Sequence, residues 1–425
     1  MDQAVAYSAL AATVGLAVTR PRFTQRVRCT PGLAGLIGVC ALACARLLTP
    51  RMVVEAARVQ WRPLLTLASI MIITGVVREV GAFDRLAARI ERAARTRSAA
   101  AVFTQVFALG AATAALLNND AAILILTPLV VALARRLYPG RPRLTVAFAF
   151  TVFLAAGVAP LIVSNPMNMI VATYAGLAFN SYAVIMAPVS LVAAVLTYGV
   201  LRWLYRGELA AARPAPPPGP VTREHRRSGE RAAVLVMASV FVAYPVAAAL
   251  GIEIWTVAVA GAIASLAVCR VHRIAPLRKA ATYVSGDILL FLAGMFLVVQ
   301  GLQSVGVAAR LHALYSAFAG DGAGQLAAIG VTSALGSAVI DNHPMALLNM
   351  LAIDRAHGAR PVLAALIGAD LGPRLLPIGS LAGLLWMDLL RRSGVEISVS
   401  RFVRVGVCVF VPAFVASLGV LWRIG

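Results

Sequence analysis

The sequence predicts an all-α polytopic membrane protein of two inverted-topology repeats, each with a re-entrant hairpin and a broken transmembrane helix, about ten spans plus two hairpins in all. Three observations predict it. The 425 residues are 60% hydrophobic and 13% charged, with a mean hydropathy of +0.86, and apolar runs of span length recur throughout. Polar clusters interrupt those runs in the same order in each half. The 37 arginines and the single lysine, Lys279, gather mainly in the connections. In a soluble protein a net charge of +21 would suggest nucleic acid; here it follows the rule that cytoplasmic loops are basic, so no nucleic-acid partner is expected. The strand alternation of an outer-membrane barrel is absent.

The first membrane half, 1–203, begins with an apolar segment at 3–19 that has no basic residue before it and Arg20, Arg22, Arg26 and Arg28 after it. A signal peptide carries its charge first, so this reads as a retained span with an outer N-terminus. Spans at 31–48 and 63–78 follow, joined by an outer loop whose Arg51, Arg58 and Arg62 run against the charge rule. Residues 79–98 place Leu86 and Ile90 opposite a row of arginines, the pattern of an amphipathic helix at the cytoplasmic interface.

A hairpin comes next, with arms 99–116 and 121–134 around Leu117-Asn118-Asn119-Asp120. No arginine occurs between Arg97 and Arg135. Unpaired amides and an ionised carboxylate at membrane depth are costly, about 3 kcal/mol for the Asp alone, and such turns survive only against protein or a water-filled cavity. The stretch 144–178 is interrupted by Pro160 and Ser164-Asn165-Pro166-Met167-Asn168, which reads as a broken helix. A span at 182–203 closes the half. Residues 204–231, rich in proline and arginine, read as a cytoplasmic linker.

The second membrane half, 232–425, brings spans near 233–250, 254–269 and 285–301. A second polar tip at Asp341-Asn342-His343-Pro344, a broken segment at 361–389 and a last span at 405–422 complete it. Asn119 and Asn342 are 223 residues apart, and Gly75…Gly81…Arg85-Leu86 matches Gly301…Gly306…Arg310-Leu311. Arg135–Arg143 flank the first hairpin densely; the second has only Arg310, Arg355 and Arg360 beside it. The first hairpin is therefore expected to enter from the cytoplasm and the second from outside, with both termini outside. Such inverted repeats support alternating access around a site at their meeting point.

Cys29, Cys40, Cys44, Cys269 and Cys408 show neither disulfide nor zinc spacing. Cys40 and Cys44 share a helix face that could take a thiophilic ligand, although small packing residues are the ordinary reading. With no P-loop, His-metal cluster or nucleophile elbow, neither an enzyme nor a cofactor or metal is expected.

These residues give the chain a resemblance to the arsenical pump membrane protein family, arsenite/antimonite efflux permeases of the ion transporter superfamily. It is carried by NNDAAILILTPLVVALARR (118–136), LIVSNPMNMIVA (161–172), SAVIDNHPMALL (337–348) and GADLGPRLLPIGSLAGLLWMDLLRR (368–392). The resemblance implies export of neutral trivalent arsenite and antimonite from a bacterial cell across the inner membrane in exchange for protons. It also implies optional coupling to a cytosolic arsenical-pump ATPase; a homodimer is the assembly to test. A sodium-coupled anion carrier or sodium/proton antiporter of the same superfamily is the rival, and a passive channel the third reading. One departure stands out: the second tip carries Asp341 and His343 where the family pattern has Asn and an apolar residue.

A neutral trihydroxide needs hydrogen-bond donors and acceptors in a compact space. Asn118, Asn119, Ser164, Asn165, Asn168, Asn342, Gly379 and Ser380 are the expected substrate contacts. Proton exchange needs a group that can change charge, and Asp120, Asp370, Asp341 and His343 are the expected carriers. The ordinary role for Asp120 or Asp341 is a helix N-cap.

Overall fold

A computed structural model describes residues 2–424 except 23–28, 95, 118, 156, 158–159, 216–227, 319–321 and 355–357. Among the described residues every regular element is helical. In order they are α1 (Asp2–Thr19), α2 (Pro31–Cys44), α3 (Pro50–Glu79), α4 (Ala82–Ala94), α5 (Ala99–Leu117), α6 (Asn119–Leu137), α7 (Pro142–Ala155), α8 (Pro166–Tyr174), α9 (Phe179–Leu204) and α10 (Arg206–Ala211). The second half has α11 (Glu230–Ala249), α12 (Ile254–Val271), α13 (Gly286–Ser304), α14 (Val307–Ser316), α15 (Gly322–Ile340), α16 (Asn342–Ala352), α17 (Ala359–Leu371), α18 (Leu381–Arg392) and α19 (Val399–Ile424). Short 3₁₀ turns at Ile162–Ser164, Gly372–Arg374 and Pro377–Gly379 lie inside the two broken segments.

Proline and capping residues set these boundaries. Thr30 and Thr49 accept from the amides of Leu33 and Met52, each followed by a proline at the first helical position, where its missing N–H is harmless. Thr49 has a consequence for 49–62. That stretch is not a loop but the first part of α3, a helix of 30 residues. Two of its arginines find acids: Arg51 pairs with Glu55 one turn away at 3.2 Å, and Arg62 reaches the distant Glu253 at 2.6 Å and lies over Trp61. The apparent breach of the charge rule is thus an exposed helical extension with compensating acids.

Among the described residues eight helices are long and apolar enough to cross a membrane: α3, α5, α9, α11, α12, α13, α15 and α19. Six of them coincide with expected spans, and the other two, α5 and α15, are the first arms of the two hairpins, each 19 residues or about 28 Å long. Meanwhile α2 and α7 are apolar but only 14 residues long. Apolar runs are visible in sequence; the caps that cut them are less so.

The same order of elements recurs, α3 to α9 and α13 to α19, each preceded by a helix pair. The pairs are exchanged, α2 packing on α13 and α12 on α3. Close approach there relies on small residues: a Cβ on Gly294 would lie about 3.0 Å from the Gly35 carbonyl carbon.

Among the described residues two large apolar cores result, with a smaller third around Val76, Val80, Phe83, Ala233 and Tyr283. One gathers α8, α16 and α17 with α1–α3 and α13; the other gathers α5, α6, α7 and α18 with parts of α9 and α19. Each broken helix is therefore divided between cores, α7 in one and α8 in the other, α17 in one and α18 in the other. The polar clusters lie on the seam.

Candidate functional site

At that seam is a cavity of about 40 Å³ lined from both halves. The first half supplies Asn119 from the start of α6, Ile123, Phe153 and Asn165. The second supplies Asn342 and His343 from the start of α16, Asp370, Pro373 and Arg374 around its break, and Ser380 and Ala382 at the start of α18.

Local chain chemistry explains why these side chains arrive there. Each lies at a helix start or break, where backbone groups lack intrahelical partners. Asn165 is the N-cap of α8, its Oδ1 accepting from Met167 N at 3.2 Å, while its Nδ2 donates to Asp370 Oδ1 at 2.8 Å. That bond joins the two breaks directly. Ser380 caps α18, Oγ accepting from Gly383 N at 3.0 Å. Asp341 caps α16: its Oδ1 accepts from His343 N at 3.0 Å and shares a second hydrogen bond with His343 Nδ1 at 3.0 Å. Asp341 takes φ +80° with ψ 149°, a backbone conformation strained for any residue bearing a side chain. The His343 ring meets Phe291 edge-on.

Several expected contacts do not line the cavity. Ser164 Oγ donates to Ala115 O at 2.5 Å and accepts from Leu161 N at 3.2 Å, tying the first break to α5. Asn168 Nδ2 donates to Leu161 O at 3.2 Å within the same break. A Cβ on Gly379 would lie 2.8 Å from Pro373 Cα and 3.0 Å from Ala338 Cα, so this glycine permits close packing on α15. Asn118 lies outside the described residues. Asp120 falls in the first turn of α6, and its side chain lies outside those described.

Arg374 is the residue sequence reasoning missed. It is 2% exposed; Nη1 donates to Thr197 Oγ1 at 2.9 Å and Nη2 to Leu154 O at 3.0 Å. A signal was available, because Arg374 is the only arginine between Arg360 and Arg391. Arg374 Nε and the Oδ1 atoms of Asn119 and Asn342 are buried without a hydrogen-bond partner. Such orphans are uncommon in native interiors. The three residues that carry them, with one unpartnered donor and two acceptors, all line the one small cavity, a composition suited to a compact neutral solute bearing hydroxyls.

Among the described residues no cluster of three or more His, Cys, Asp or Glu could hold a metal ion. The cysteines stand apart from the cavity: Cys29 and Cys269 are buried elsewhere, and Cys40, Cys44 and Cys408 are exposed.

Comparison with known proteins places this geometry. A citrate transporter family model matches residues 24–367. The arsenical pump membrane protein of Yersinia enterocolitica is 32% identical, with 96% of each chain covered. That of Escherichia coli K12 is 31% identical over 85% of this chain and 86% of its own. Two solved structures share the fold: the Alcanivorax borkumensis YdaH transporter, at TM-score 0.57 and 14% identity over 99% of this chain and 96% of its own, and Neisseria gonorrhoeae MtrF, at 0.56 and 11% over 100% and 95%.

Proposed function

The chain belongs to the arsenical pump membrane protein family, a multi-pass transporter of the bacterial inner membrane, and from that premise we propose that it exports neutral trivalent arsenite and antimonite in exchange for protons. The cavity carries the reading. Its unpartnered polar atoms, Asn119 Oδ1, Asn342 Oδ1 and Arg374 Nε, match a trihydroxide, whose O–H groups donate and whose oxygens accept. About 40 Å³ exceeds the 10–15 Å³ one water needs, yet is far below the 300 Å³ or more of sites for larger ligands.

The proton is carried by Asp370, with Asp120 as its counterpart in the first half, and the Asp341–His343 pair modulates the step. Asp370 faces the cavity and holds Asn165 across the seam, so its charge state bears on the contact between the repeats. The repeats are inverted, the 204–231 linker is cytoplasmic between halves 1–203 and 232–425, and the two cores close alternately on the cavity. Helix-end contacts support this arrangement. Arg85 with Glu230, Lys279 with Glu79 (2.6 Å) and Arg136 with Glu91 (3.7 Å) join segments assigned to the basic side, whereas Arg62 with Glu253 and Arg310 with Gln3 join segments assigned to the other. An arsenical-pump ATPase docks optionally on the basic side, and two copies form a homodimer.

The citrate transporter match and the buried arginine favour a second reading, a sodium-coupled anion carrier. Against it, both terminal nitrogens of Arg374 are engaged by protein and the cavity is small for a tricarboxylate. Everted vesicles separate the two. An acid-inside gradient should drive arsenite accumulation with or without sodium. A strict sodium requirement would favour the carrier, and equilibration without accumulation a channel.

A further inference from the structure

The geometry points to Arg374 as a tethered cation filling a site built for a monovalent metal ion. Helix α7 spans Pro142–Ala155, so the carbonyls of its last described turn lie at the negative end of the helix dipole. One of them, Leu154 O, accepts from Arg374 Nη2 at 3.0 Å. The hydroxyl of Thr197 on α9 accepts from Nη1 at 2.9 Å, and Asp370 lines the same cavity as Arg374. Carbonyl and hydroxyl oxygens at a helix end, with a carboxylate lining the same cavity, are the kinds of donor a hard cation takes in membrane transporters. Here a guanidinium, charged at any working pH, stands among them with Nε left over. The backbone makes room for it: a Cβ on Gly157 would lie 2.8 Å from Nη2.

An arginine in that place has a consequence for coupling. The charge that would otherwise have to come from solution travels with the protein, so sodium has no vacant place to bind. Removing the side chain's charge should reopen the cage. The inference adds an account of ion choice to the transport reading above, but its central measurement does not depend on transport.

The test is the melting temperature of purified protein in detergent, in sodium chloride against choline chloride at equal ionic strength. The wild type should show no sodium-specific shift, and Arg374→Lys should behave likewise. Arg374→Gln should melt several degrees lower in choline chloride and recover as sodium replaces choline. An Arg374→Gln protein that melts identically in both salts overturns the inference, as does a wild type stabilised by sodium to the same extent. Should Arg374→Gln fail to accumulate in membranes, Asp370→Asn/Arg374→Gln decides: recovery on removing both charges supports a tethered counter-charge, and continued failure marks Arg374 as a packing residue and overturns it. Wild-type vesicles that do not accumulate arsenite would sink the transport reading alone, leaving the melting series to judge the cation site.

Discussion

The two helix breaks are built by different means. The first is held by neutral side chains: Ser164 reaches α5, Asn168 holds Leu161 O, and Asn165 caps α8. The second adds close backbone packing to the side-chain bonds of Ser380 and Arg374. Gly368 and Gly372 sit against the carbonyls of Gly330 and Ala334 on α15, Gly379 lies on Ala338, and Gly406 on α19 faces the Arg374 carbonyl. The second hairpin is also wired to its break, Tyr315 donating to Asn349 at 2.5 Å, Asn349 to Ser333 at 2.9 Å and Ser333 to Ala365 O at 2.6 Å. Among the described cavity-lining residues the charged and titratable groups, Asp370, Arg374 and His343, come from the second half, with Asp341 beside His343; the first half contributes amides. The lesson is a division of labour. One half carries charge on a tightly packed frame, and the other answers with hydrogen bonds that can be remade.

The largest expected effect breaks that division at its charged end. Asp370→Asn keeps size and one hydrogen bond to Asn165 but cannot release a proton. Arsenite uptake into everted vesicles should fall to the level of vesicles lacking the protein while membrane content stays normal. Uptake at more than a tenth of wild type would remove Asp370 from coupling.

Next is the packing difference, tested on the corresponding helices α19 and α9. A Cβ on Gly406 collides with the Arg374 carbonyl, whereas nothing lies within 4 Å of one on Gly199. Gly406→Ala should destabilise by about 1–3 kcal/mol as overpacking does. Gly199→Ala should stabilise by about 0.4–1 kcal/mol through the unfolded chain. Equal melting temperatures for the two variants would show that the second break is not set by close packing.

A smaller contrast lies in the two break serines. Ser164→Ala removes a hydrogen bond between segments, worth about 1 kcal/mol. Ser380→Ala removes a helix cap of similar worth, about 0.5–2 kcal/mol. Both should lower the melting temperature by a few degrees, but only Ser380 touches the cavity, so only Ser380→Ala should raise the arsenite concentration for half-maximal uptake. A raised value for Ser164→Ala alone would reverse their roles.

Much of this frame is legible in the chain because polar residues at membrane depth need a reason. Asn119, Asn165, Asn342, Asp370 and Ser380 are visible for that cause, and all five line the cavity. The packing of Gly379 against α15 is not legible in the chain, because what approaches a glycine depends on the fold. The 49–62 segment is misread because charge counts do not register the Thr49-Pro50 cap or the pairing of Arg62 with Glu253 across 191 residues. Arg374 escapes for the same reason, since the carbonyl it satisfies lies 220 residues away on α7.

The smallest expected effect concerns the tip where this chain departs from its family. Asp341→Asn should fold, because an Asn Oδ1 can cap α16 as the Asp does and Asn has the same size and branching at this backbone position. What it removes is the negative charge 3.0 Å from His343 Nδ1. His343 lines the cavity while Asp341 reaches it only through that ring, so the substitution should tune the proton step rather than abolish it. Proton-driven arsenite uptake measured from pH 5.5 to 8.5 should therefore stay within about threefold of wild type, with at most a displaced optimum of about one pH unit, the scale on which a nearby charge acts. His343→Gln should show the same displacement, and Asp341→Asn added to it should change nothing further if the two act as one unit. If Asp341→Asn alone silences exchange while Asp370→Asn still runs it, the proton is carried at the second tip and the break merely positions the substrate.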